Sequence, residues 1–130
     1  MVIKTLKDQN ILIVEHDELN LKLFQDLTTY MGLTPLLART GKQALEVLNE
    51  HTPDLTLVNM QLPDMSGYKL IERLSKAPEM AKKPIIALSN YLKKEEKQKV
   101  LDHGCEDYVT KPVMVDYLID KIDKTLSQKR

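Results

Sequence analysis

Glu15, Asn59, Ser89 and Lys111 each close or follow a short apolar run, and together they offer an acid, a carboxamide, a hydroxyl and an ammonium. Such groups at the carboxyl ends of strands sit where open α/β sheets bind their ligands. Asn59 is the central one. Leu55–Val58 is too brief for a helix and reads as a buried strand. It stops at Asn59, the turn residues Pro63-Asp64-Met65-Ser66-Gly67 follow shortly, and a helical pattern starts at Tyr68. An isolated Asn in this place is a strand-terminating turn former. The other three stations turn it into a candidate site.

The elements that position these residues alternate along the chain. Asn10–Val14 is a continuous apolar run, as expected for a parallel strand covered on both faces, and Glu15-His16-Asp17 follows it. Asp17 caps the next helix, whose inner face is expected to carry Leu19, Leu23, Phe24, Leu27, Tyr30 and Met31, with Gly32 ending it. Leu33–Ala38 is a second strand, and Pro35 places it at an edge. Thr40 caps a helix with Gln43 completing a capping box, and Ala44, Leu45, Val47 and Leu48 face inward. Ser66-Gly67 opens a helix to about Lys76, and Ala77–Lys83 is a polar connection. Pro84–Leu88 is the fourth strand, closed by Ser89-Asn90. Lys93–Lys99 reads as a solvated helix face, ended by Gly104. Asp107–Thr110 is the fifth strand. Val115, Leu118, Ile119, Ile122 and Leu126 give a final amphipathic helix that frays through Gln128-Lys129-Arg130. Five β–α units predict an α/β doubly wound parallel sheet.

Bulk properties narrow the function classes. The 130 residues suit one domain, 1–130, with its core over about 10–127. Nineteen basic and nineteen acidic side chains balance, which gives no argument for a nucleic-acid partner. The lone Cys105 excludes an internal disulfide and a cysteine-cluster zinc site, and reads as a small packing residue. No signal peptide is visible, and no apolar run approaches the roughly 20 residues that span a bilayer. A cytoplasmic domain without a membrane anchor is expected.

In a sheet with right-handed crossovers, the ends of strands one, three, four and five converge on one rim. The whole ordered set resembles the receiver domain of two-component response regulators, particularly the single-domain, CheY-like ones. The motifs are Ile11–Glu15, Gln61–Gly67, Ile86–Ser89 and Tyr108–Pro112. The resemblance implies a flavodoxin-like fold with strand order 2-1-3-4-5. It also implies a phosphotransfer site. In that family two acids after the first strand help hold Mg²⁺, and an aspartate ending the third strand takes a phosphoryl group from a histidine kinase. Ser89 matches the hydroxyl that contacts the phosphoryl group, and Lys111 matches the neutralising lysine. Tyr108 matches the aromatic that moves with the switch, and Lys111-Pro112 matches a peptide bond often found cis.

Two positions depart from that pattern. Asn59 stands at the phosphoacceptor position and His16 at the second acidic one. A carboxamide oxygen is neutral, far less nucleophilic than a carboxylate, and would not yield an acyl phosphate. Magnesium prefers oxygen ligands, usually one or two carboxylates with waters. The family pocket carries a net charge of about −2, whereas here Glu15 offsets Lys111. Mg²⁺ binding is therefore expected to be weak or absent, with Glu15, Asn59 and Gln61 marking a vestigial site.

The expectation is a non-enzymatic pseudo-receiver that signals through protein–protein contact, with Asn59 hydrogen-bonded inside the pocket, for instance to Lys111. By the resemblance, its output surface covers about Lys93 to Leu126. Its partners would be a histidine kinase, a phosphotransfer protein or an effector enzyme, and it would be a monomer or weak dimer. The alternative is a phosphoaccepting single-domain regulator seen as an engineered Asn59 variant. Other chemistries fit less well. Glu15 and His16 lack a third ligand for a transition metal. Phosphorylation of His16 would belong to a helical-bundle domain. A nucleotide or flavin site would need a Gly-rich loop where Glu15-His16-Asp17-Glu18 stand. With no second domain after Arg130, DNA output is not expected. His16 could titrate near neutrality, and His51 and His103 read as helix-end residues.

Overall fold

The computed structural model describes residues 8–90 and 94–127. The expected readings over Met1–Lys7, Lys93 and Gln128–Arg130 therefore lie outside the described residues. The elements are β1 (Asn10–Val14), α1 (Glu18–Tyr30), β2 (Thr34–Ala38), α2 (Gly41–Val47), β3 (Leu55–Asn59), α3 (Gly67–Lys76), β4 (Ile85–Ser89), α4 (Lys94–Asp102), β5 (Asp107–Thr110) and α5 (Val115–Ser127). All five strands are parallel, in the order β2-β1-β3-β4-β5. This is the doubly wound arrangement expected from the sequence.

Strand alternation divides the core into two layers. Ile11, Ile13, Leu55, Leu57, Ile86 and Leu88 pack with Phe24 of α1 and Leu118, Ile122 and Leu126 of α5. Leu12, Val14, Val58, Ile85 and Ala87 point to the opposite face, against Ala44 of α2, Leu70, Ile71 and Leu74 of α3 and Val100 of α4. Every residue of β3 and β4 is buried. Asn59 and Ser89 stand at the carboxyl ends of these two strands, while Thr56 is the one polar side chain buried within them.

Four expectations need correction. The inner face of α1 is Leu21, Phe24 and Thr28, while Leu19, Leu23 and Tyr30 are exposed. Thr28 can be buried because its hydroxyl donates to the Phe24 carbonyl at 2.8 Å. Gln43 does not close a capping box on Thr40. Its Oε1 accepts from the Arg39 amide at 2.7 Å, while the Thr40 hydroxyl accepts from the Gln43 amide at 3.0 Å. The connection after α3 holds a 3₁₀ turn at Pro78–Met80 that buries Met80. Val115 of α5 is exposed. Cys105 is buried, and burial pushes its thiol up to about 12, with Asp107 adding to the shift. A thiol so placed is a packing group.

Two contacts fix the loop after β3. Gly67 lies so close to the start of that loop that a Cβ would meet Met60 Cα at 2.6 Å. Asp64 accepts from the amides of Gly41 and Lys42, both at 2.9 Å, and so ties the loop to the start of α2. Gly67→Ala should cost roughly 1–3 kcal/mol, because backbone cannot yield. Gly41→Ala, which meets only the Met65 side chain, should cost less. Urea denaturation of the two variants checks this order. The bonds to Gly41 and Lys42 hold the Asp64 carboxyl below its usual value. A depressed carboxyl stabilises the fold above its unfolded pKa, and that contribution is lost as pH falls through the folded value. Asp64→Ala should therefore lower the melting temperature most at about pH 6, with the gap to the parent narrowing towards about pH 3.

Candidate functional site

The strand order brings Glu15, Asn59, Ser89 and Lys111 to neighbouring positions along one edge of the sheet. Val14 pairs in register with Val58, Asn59 with Leu88 and Ser89 with Thr110. The Met60 amide donates to the Leu88 carbonyl at 2.8 Å, and the Lys111 amide to the Ser89 carbonyl at 2.7 Å. Pairing thus continues past the ends of β3 and β5 into the site itself. The Lys111-Pro112 peptide bond is cis.

At the centre are two buried polar side chains. Glu15 is 1% exposed and Asn59 4% exposed. Asn59 Nδ2 donates to Glu15 Oε2 at 2.9 Å, and Asn59 Oδ1 accepts from the Gln61 amide at 3.0 Å. These neighbours determine which way the carboxamide points. An ionised carboxylate only accepts and a backbone amide only donates, so the two ends of Asn59 cannot be exchanged. Glu15 Oε2 also accepts from the Asp17 amide at 3.0 Å, while the Asp17 side chain caps α1 through the Asn20 amide at 2.9 Å. Glu15 Oε1 is buried without a hydrogen-bond partner among the described residues.

Among the described residues, the hydrogen bond suggested between Asn59 and Lys111 is not formed. No described side chain forms an ion pair with Lys111, and Asn59 is bonded to Glu15 instead. Glu15 and Asn59 stand at the ends of adjacent strands about 4.8 Å apart, which brings the two side chains within hydrogen-bond reach. Lys111 lines a cavity of about 260 Å³ with Leu23, Phe24, Pro112 and Val113.

His16 is exposed, and its carbonyl accepts from Arg39 at Nη2 (2.8 Å) and Nε (3.2 Å). Arg39 also pairs with Glu18 at 3.4 Å. Sequence reasoning did not single out Arg39. Its position directly after β2 was the available signal, since β2 borders β1 and its end meets the same edge. Ser89 is buried at the tip of β4, and Tyr108 on β5 is half-buried with the Lys97 ammonium 5.6 Å from its ring centre. Gln61 Oε1 accepts from Asn90 Nδ2 at 3.1 Å, bridging the loops after β3 and β4.

This arrangement matches a known family. Residues 11–123 match the response regulator receiver domain. The chain is 36% identical over 118 residues to the polar-differentiation response regulator DivK of Brucella ovis and of Brucella abortus, covering 91% of this chain and 96% of each relative. A CheY-like receiver domain protein from Methanospirillum hungatei superposes with a TM-score of 0.86 at 27% identity, covering 93% and 95% of the two chains. The receiver domain of a histidine kinase from Syntrophus aciditrophicus gives 0.84 at 27% identity, covering 92% and 91%. The chain belongs to the response regulator receiver family, the receiver domains of two-component signalling. Receivers of this kind interact with kinases and phosphotransfer proteins. Among the described residues, no helix is long and apolar enough to cross a membrane.

The family implies a magnesium ion at this edge, and the donor set here fits one poorly. Glu15 Oε1 is a free carboxylate oxygen, but Glu15 Oε2 and Asn59 Oδ1 are already engaged. His16 supplies an exposed imidazole where an acid would stand, and no three His, Cys, Asp or Glu side chains converge among the described residues. Asn59→Asp should make the need for a cation visible. It replaces a donor 2.9 Å from Glu15 Oε2 with a second carboxylate. One carboxyl of the pair then has a raised folded pKa, so the variant holds its stability in acid and loses it as pH rises through that value. At pH 7 it should be less stable than the parent by about 2 kcal/mol or more. Denaturation across pH, with and without Mg²⁺, should show Mg²⁺ restoring part of that loss in the variant and leaving the parent unchanged.

Proposed function

We propose that this receiver domain is a pseudo-receiver: it takes no phosphoryl group at position 59 and signals through protein–protein contact. The carrying observation is the Asn59 carboxamide, fixed at both ends by Glu15 and Gln61. Its oxygen is neutral and its lone pairs are partly engaged, so it lacks the charge of the nucleophile that forms an acyl phosphate. Its nitrogen supplies to Glu15 a donor that a metal-dependent pocket would leave to the cation. Mg²⁺ affinity is correspondingly weak.

Exposed apolar surface supports a binding role. Leu19 and Leu23 of α1 are exposed, as are Met114, Val115 and Tyr117 beside the β5–α5 connection. Leu23, Phe24, Pro112 and Val113 line one cavity that joins α1 to this connection. Apolar patches of this kind mark sites of protein association. The partners are a histidine kinase, a phosphotransfer protein or an effector enzyme. The α4–β5–α5 face, over Lys94 to Leu126 in the described residues, is the output surface.

The second reading is a phosphoaccepting regulator with an engineered Asn59. Ser89, Lys111 and the response-regulator name of the DivK relatives favour it. One experiment separates the two. The chain, Asn59→Asp, and Asn59→Asp with His16→Asp are treated with a small phosphodonor and Mg²⁺ and weighed intact. The expected result is no phosphoryl group on the parent and labelling only in the double variant. Labelling of the parent would overturn the reading, and full labelling of Asn59→Asp alone would favour the engineered regulator.

A further inference from the structure

Helix α4 is attached more lightly than α3 and α5. Val100 is the one buried residue among its described positions, whereas α3 buries Gly67, Leu70, Ile71 and Leu74, and α5 buries Leu118, Ile122, Thr125 and Leu126. A helix with so little buried apolar surface belongs to the low-stability end of a fold. At about 100° per residue, Lys97 and Lys99 fall on opposite flanks of Val100. Each reaches a tyrosine ring on a different neighbour. The Lys97 ammonium lies 5.6 Å from the ring centre of Tyr108 on β5, and the Lys99 ammonium 4.5 Å from that of Tyr68 on α3.

The Tyr68 contact has further support. The His103 ring, just beyond the helix, packs on Tyr68 at 5.0 Å, and His103 Nδ1 is 2.7 Å from the Lys99 carbonyl. Burial, followed by the nearby Glu96 and Cys105, holds the Tyr68 phenol above its usual value, so the ring meets Lys99 as a neutral π-face. An ammonium within about 6 Å of a tyrosine ring centre is attracted by the ring quadrupole.

We infer that Lys97 and Lys99 are positioning residues that seat α4 by placing an ammonium over each of two tyrosine rings. The output face is then held by surface charge on either side of one buried valine. The loop after β3 leads through Gly67 directly into Tyr68, and the Lys111 amide bonds the tip of β4 three residues after Tyr108. Both rings are therefore covalently close to the site. The meaning of the clasp for signalling rests on reading α4–β5–α5 as the output face, but the clasp itself is a property of the isolated chain.

Lys97→Met and Lys99→Met keep the apolar stem and a similar helix propensity while removing the charge. Lys97→Arg and Lys99→Arg keep the charge. Amide hydrogen exchange is followed over Lys94–Asp102, and fluorotyrosine resonances of Tyr68 and Tyr108 are assigned by Tyr→Phe substitution among the five tyrosines. Each Met variant should speed exchange in α4 by roughly 2- to 5-fold and shift the resonance of its own tyrosine, with the double variant faster still. The Arg variants should stay near the parent. Unchanged exchange in the double Met variant overturns the inference. So does equal acceleration by Arg and Met, or acceleration of the same size from Lys94→Met, which removes an exposed charge that lies over no ring among the described residues. None of these outcomes depends on phosphorylation, so the clasp and the pseudo-receiver reading can fail separately.

Discussion

A buried carboxylate that can only accept hydrogen bonds is the constraint around which this site is arranged. Glu15 lies at the end of β1 with almost no solvent contact, so its charge must be answered from within the protein. The Asn59 carboxamide and the Asp17 amide answer one oxygen. An aspartate at position 59 could not, since two carboxylates at hydrogen-bond distance cannot both stay ionised without a cation between them. The residue types at 15 and 59 are therefore coupled. A carboxamide removes the nucleophile and, in the same atom exchange, supplies a donor that lessens the need for a metal.

The scaffold makes that coupling unavoidable. β3 and β4 are buried on both faces, and their site-forming polar residues, Asn59 and Ser89, stand at the carboxyl ends. The strand order then decides which ends meet. β1 borders β3 directly, so Glu15 and Asn59 share a hydrogen bond, while β4 stands between Asn59 and Lys111. The loop after β3 is held by Asp64 on α2 and by the close approach of Gly67 to Met60. That keeps the Gln61 amide where it can fix the other end of the carboxamide.

The stations of the site were legible in the sequence because each ends a run too apolar to stop anywhere but at a sheet edge. The helix faces were less so. Phe24, Leu27 and Met31 turn to the core as expected, but Leu19, Leu23 and Tyr30 share the helical spacing and are exposed, while Leu21 and Thr28 are buried. Thr28 satisfies its hydroxyl on its own helix, which lets a polar residue occupy a core position. Arg39, marked in the sequence by nothing but its place after β2, was hard to read for a different reason. Its guanidinium bonds a main-chain carbonyl, that of His16, and no side-chain pattern encodes such a contact. The partner of Asn59 depended on distance across the sheet, which residue types do not express.

The structure thus sets a tightly bonded edge beside a lightly seated helix. At the edge, Asn59 is bonded through both its nitrogen and its oxygen, and a change of state there would break bonds between buried groups. At α4, one buried valine among the described residues and two ammonium groups over tyrosine rings hold the helix. A partner shifts an equilibrium only by the difference between its affinities for the two states. On the pseudo-receiver reading proposed above, the element that can present two states to a partner at small cost is α4, and the rings of Tyr68 and Tyr108 are the surfaces from which it would lift. Information would then enter at the face that usually reports it, with the partner's own contacts deciding the seat of the helix.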